Sequence, residues 1–202
     1  MRRTMTAAIL VAALVGLMAA PAGAAVDRNS YHVYTADAIF RAEAPGGIVT
    51  DVDVTIVVGD VSGTVPAGLA PPVLIVELWV SDDDVEVRHA VGIAELLPDD
   101  YTFDTARLTF ASVDANVMLV DEGASGGSLA AVHVGWEAWG RYDVEVNVAP
   151  MTSDTPHQFI GRNRAEMVAE GTVIEGVTNH TPEPTNGGFV KKVEFHEVSV
   201  GG

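Results

Sequence analysis

The chain has 202 residues and no cysteine, and its 11 basic and 28 acidic side chains give a net charge of −17. A surface this acidic repels phosphate backbones and anionic lipid, so neither nucleic acid nor an anionic membrane is an expected partner. Without cysteine there is no thiol catalysis, thiolate metal site or disulfide framework, and the fold must rest on its apolar core.

At the N-terminus, Arg2 and Arg3 precede an apolar run over residues 9–20 and the small-x-small triplet Ala22-Gly23-Ala24. This is the pattern of a secretory signal peptide, expected to be cut after residue 24. The run is shorter than the ~20 residues needed to cross a bilayer. Thr4-Met5-Thr6 departs from a twin-arginine signal, so ordinary secretion is the expectation. No later segment is long and apolar enough to span, so the mature chain is expected outside the cytoplasm with no membrane insertion. Residues 25–202 are long enough for one domain burying roughly 70% of its unfolded surface. Loss of Arg2 and Arg3 leaves nine basic against 28 acidic residues, a charge of −19.

Along the mature chain, alternation with a period of two dominates, and no amphipathic helix longer than two turns is evident. Val52, Val54, Ile56 and Val58 share one parity and Asp51, Asp53 and Thr55 the other, which reads as a strand with a wet outer face. Residues 73–80 are apolar at both parities except for Glu77, as a central strand covered on both sides would be. Asp82, Asp83 and Asp84 mark a turn, and Asp99-Asp100 another. Leu108 and Phe110 keep even parity while Val113, Val117 and Leu119 are odd, so a bulge or corner near Ala111-Ser112 is expected. Val132, Val134, Trp136 and Ala138, then Tyr142, Val144 and Val146, point inward on a long stretch bent at Gly140. Residues 150–163 read as an irregular connection, followed by strands over 164–177 and 189–200. Nine or ten short strands predict an all-β domain, a single antiparallel β-sandwich of jelly-roll-like or immunoglobulin-like type.

Several clusters carry candidate chemistry. Residues 123–129 (GASGGSL) resemble the nucleophile loop of chymotrypsin-like proteases, with His89 and Asp104 upstream in the required order. Asp104 lies only 21 residues before Ser125, too little chain for a second barrel, so a glycine-rich hairpin loop is the better reading. The six histidines are isolated from one another in sequence and read mainly as surface residues. Asp82, Asp83 and Asp84 are candidate calcium ligands, because calcium takes several carboxylate and carbonyl oxygens and aspartate-rich turns offer them. Past the inward Trp136, Trp139 shares a face with His133, Glu137 and Arg141. An aromatic plate among hydrogen-bonding groups is a sugar-binding arrangement, set against the usual burial of tryptophan in a sandwich core. Glu137, Asp143 and Glu145 along the same face suggest glycosidase carboxylates, but the jelly-roll glucanase signatures are missing. Asn179-His180-Thr181 fits a glycosylation acceptor, disfavoured by Pro182. The expected function is therefore a secreted, non-catalytic extracellular or cell-surface binding or structural module, with calcium as the candidate ion and a glycan or protein as the candidate partner. The competing classes are a secreted hydrolase and an inhibitor-type partner protein.

Overall fold

The computed structural model of the protein describes residues 26–62, 71–147 and 157–200. These residues form twelve strands and no helix: β1 (Val26–Glu43), β2 (Ile48–Ser62), β3 (Val73–Asp82), β4 (Val85–Glu95), β5 (Tyr101–Phe103), β6 (Phe110–Asp121), β7 (Gly127–Ala138), β8 (Asp143–Asn147), β9 (His157–Arg164), β10 (Met167–Glu175), β11 (Thr178–Asn179) and β12 (Gly188–Val200). None of the described residues lies in a helix long and apolar enough to cross a membrane. The expected signal segment, residues 1–24, lies outside the described residues.

All twelve strands belong to one antiparallel sheet, in the order β11-β10-β7-β6-β4-β3-β2-β1-β12-β9-β8, with β5 paired to β6. The hydrogen bonding also returns to its start. Ahead of β12, Gly187 O accepts from Ile39 N–H of β1 at 2.8 Å, while Thr185 and Ala169 of β10 exchange bonds of 2.7 and 2.8 Å. The lead into β12 therefore ties β1 to β10 and turns most of the sheet into a ring. Two glycines permit that curvature. Gly171 and Gly188 have φ of 146° and 150°, and a Cβ would stand 2.0 Å from His133 O at the first and 2.1 Å from Asp37 O at the second.

Alternation sets the inside of the ring. Tyr34, Ala36, Ala38 and Phe40 of β1 meet Val52, Val54 and Ile56 of β2, Leu74, Val76 and Leu78 of β3, and the opposite wall of β6, β7 and β10 in one apolar cluster. Trp136 lies at its centre, fully buried. A period of two commits each strand to one buried row, and the rows from all sides of the ring interlock into a single core. A second, smaller cluster, Val33, Val57 and Val73 with Ile75 and Phe195, packs on the outer side of β1–β3. That explains why the 73–80 segment is apolar at both parities.

The structure corrects several expectations. The described residues form twelve strands in one antiparallel sheet where nine or ten strands were expected. The segment expected to be irregular contains β9, which pairs with β12 and with β8. Gly140, at φ 81°, is more than a bend in one stretch. It separates β7, between β6 and β10, from β8, at the far end of the sheet. Val144 and Val146, expected inside, are 51% and 52% exposed because their strand runs beyond the ring. The parity change falls at Leu108, which has a left-handed φ of 55° and is buried, whereas Phe110 at the start of β6 faces out.

Candidate functional site

Trp139 directly follows β7 and is 49% exposed, so it is displayed and not a second core residue. Its backbone N–H donates to Glu166 O at 2.8 Å. His133 and Glu137 lie on the outer face of β7, both exposed, and His133 Nδ1 stands 3.4 Å from Asp114 Oδ2 of the neighbouring strand. Arg141 is exposed beyond the Gly140 turn, and no ring contact or ion pair joins Trp139 to these three residues among the described ones. Past the Gly140 turn, Tyr142 and Arg164 form a contact of their own. The Arg164 guanidinium lies 4.1 Å from the centre of the Tyr142 ring and bonds Arg107 O and Gly140 O. Tyr142 Oη donates to Arg107 O at 2.7 Å. Trp139 and Tyr142 are thus both exposed, and Tyr142 is braced by Arg164 and Arg107 O. Arg164 was not legible as part of this contact, because β9 reaches the turn only through tertiary pairing.

Asp82 ends β3, while Asp83 and Asp84, at φ 46° and 65°, are the two central residues of the hairpin turn into β4. Left-handed conformations at both positions match the twist of a two-residue hairpin, and aspartate tolerates them better than most residues. All three carboxylates are exposed. Among the described residues, the acidic and imidazole groups brought within ligand distance of one another as a set of three are Glu86, His89 and Glu122.

The outer face of β1–β3 is not wet, contrary to expectation. Asp37, Asp51 and Thr55 are buried and Asp53 is half-buried. Thr55 Oγ1 lies 3.0 Å from Asp37 Oδ2 and 3.2 Å from Asp53 Oδ1, and Asp53 pairs in register with Glu77 of β3. Burial, then the adjacent Asp37 carboxyl, pushes the Asp53 pKa up to about 8. Burial also raises Asp37 and, aided by the charge of Asp53, raises Glu77. Asp53 thus holds its proton well above the usual carboxylate range, and its two neighbours are shifted in the same direction.

At one end of the ring, Arg88 holds Glu175 through two bonds of 2.7 Å and Asp121 through one of 2.6 Å. Glu175 also accepts from Ser128 and lies 3.1 Å from His180 Nε2. The Arg88 bonds lower the Glu175 pKa to about 2 against a smaller opposing effect of burial. His180 is buried here, so the surface expectation for the histidines fails at this residue. Beside it, Asn179 is exposed and its side-chain oxygen accepts from Thr181 N–H at 3.1 Å.

The hydrolase readings gain no assembled machinery among the described residues. Ser125 is exposed in the β6–β7 connection. Asp104 directs its carboxylate to the amides of Ala106, Arg107 and Thr109, and His89 faces Glu122. Glu137 is on β7, whereas Asp143 and Glu145 are on β8 beyond β12 and β9. No known protein family, curated protein or solved structure matches the chain.

Proposed function

We propose that this chain is a secreted, non-catalytic binding or structural module that meets its partner through its outer surface. The observation that carries this reading is the display of Trp139, 49% exposed at the end of β7 and three residues before Tyr142 of the Tyr142–Arg164 pair, on a ring whose interior is filled by apolar side chains. A packed interior leaves recognition to the outside. Stacking on the apolar face of a sugar, with Arg141 and Glu137 within the same region of surface, is the chemistry an exposed tryptophan offers.

The same reading treats the ring as flattened into a sandwich. β4 and β6 share only the pairs Ala90↔Asp121 and Val91↔Val120, and Ala169↔Thr185 is a single bridge on the other side. On this reading the two narrow links mark the borders of facing halves that share one core. Secretion is part of the proposal, resting on the Arg2–Ala24 sequence pattern.

Glycan-array screening of the exported protein, with Trp139→Ala alongside, tests the reading. Binding to a defined glycan class that falls at least tenfold in Trp139→Ala is the expected result. Equal binding by both proteins would overturn the assignment of this surface. Mass spectrometry should find the exported chain beginning near Ala25, and an intact N-terminus would overturn the secretory part.

A further inference from the structure

We propose that Glu86, His89 and Glu122 form a binding site for a divalent transition-metal ion such as zinc, on the outer face where β4 meets the end of β6. One ligand atom from each residue lies within 4.8 Å of those of the other two, a spacing that a single ion can bridge. The His89 Nδ1 to Glu122 Oε2 separation is 3.4 Å. That is long for a hydrogen bond. It matches the separation of about 3.4 Å between two ligands that hold a tetrahedral zinc at about 2.0–2.1 Å.

The backbone builds this trio against the normal strand pattern. Glu86 and His89 are three residues apart, so in a regular strand they would face opposite sides of the sheet. Val80 pairs with Arg88 but Ser81 pairs with Glu86, leaving Val87 as an extra residue on β4. This bulge turns Glu86 to the outer side, beside His89 and Trp79. Bulges re-aim side chains in this way and recur next to functional sites. Glu122 is placed independently, through its backbone N–H to His89 O at 2.9 Å.

The imidazole is also fixed in advance. The His89 ring stacks on Trp79 at 5.4 Å between centres and 5° between planes, and its Nδ1 lies on the side of Glu122. Its other nitrogen, Nε2, is buried without a hydrogen-bond partner. An ion held at Nδ1 places the ring proton on Nε2. A neutral imidazole with two carboxylates is a donor set suited to zinc, with the remaining coordination open to water. The proposal is independent of the Trp139 surface.

Titration calorimetry of the EDTA-treated, dialysed full-length mature protein with zinc chloride tests this site. One ion per chain at micromolar Kd is expected. His89→Ala and the double variant Glu86→Gln/Glu122→Gln should each weaken binding at least tenfold while melting cooperatively, and His133→Ala should bind as the parent does. Copper(II) should quench the fluorescence of Trp79, a quench lost in Trp79→Phe. The absence of zinc binding in the parent at millimolar metal would overturn the site. So would unchanged affinity in the double glutamine variant, which keeps the stacked ring and isolates the effect of the carboxylates from any folding defect of His89→Ala.

Discussion

Stability should fall as pH rises from 5 to 8, and Asp53 should account for most of the fall. Its carboxyl titrates near 3.8 when free and is pushed up to about 8 by burial and by Asp37. Between those values the unfolded chain ionises this group while the folded chain keeps the proton. The stability that protonation provides is complete below 3.8 and is lost as pH climbs through the folded value. Each pH unit in that window costs about 1.4 kcal/mol, which sets an upper bound of about 3 kcal/mol between pH 5 and 7. Proton sharing with Asp37 and Glu77 spreads the transition, so a loss of about 1–3 kcal/mol is expected. For a chain of this size that is a fall in Tm of roughly 3–10 °C. The assay is thermal unfolding at pH 5, 6, 7 and 8 in 0.5 M NaCl, where repulsion among exposed charges is screened but the buried carboxyls are not. Asp53→Asn keeps the shape without the ionisation, and it should melt above the parent at pH 8 with a much flatter pH profile. A parent Tm that is constant across this range, or an Asn variant with the parent's slope, would refute the reasoning.

Glu175→Gln removes the doubly bonded partner of Arg88, whose side chain is only 28% exposed, and should cost about 2–4 kcal/mol by chemical denaturation. Because the Glu175 pKa is lowered to about 2, its contribution is present above the unfolded value of 4.5 and lost on acidification towards 2. The parent should therefore lose stability below pH 4 more steeply than the variant. Gly171→Ala places a methyl 2.0 Å from His133 O and should destabilise by more than about 3 kcal/mol, whereas Gly135→Ala, with open space at its Cβ, should stay within about 1 kcal/mol. If the Asp82-Asp83-Asp84 turn holds calcium, millimolar calcium should raise Tm above ionically matched NaCl, and combined Asp82→Asn, Asp83→Asn and Asp84→Asn should remove that increment. Equal effects of the two salts would leave screening alone at that turn.

Local alternation was enough to place the buried rows of β2, β6 and β7, because a strand's two faces are set by the chain itself. The inward Trp136 and the Asp83-Asp84 turn follow from the same short-range physics. What surrounds each face was not local. Asp51 and Asp53 alternate with valines as solvent-facing residues do, yet packing on the outer side of β1–β3 buries Asp51 and half-buries Asp53, whose carboxyl is pushed up to about 8. Gly140 looks like a bend, but whether the chain continues one strand or departs to another is decided by which edges remain open for pairing. The register shift at Val87 and the meeting of His89 with Glu122 depend on bonds between strands far apart in sequence. Alternation therefore determined an all-β chain and its inward rows. Only the tertiary pairing decided the single ring-forming sheet, the protonated carboxyls and the assembly of Glu86, His89 and Glu122, because a side chain's dielectric and its neighbours are properties of the closed sheet.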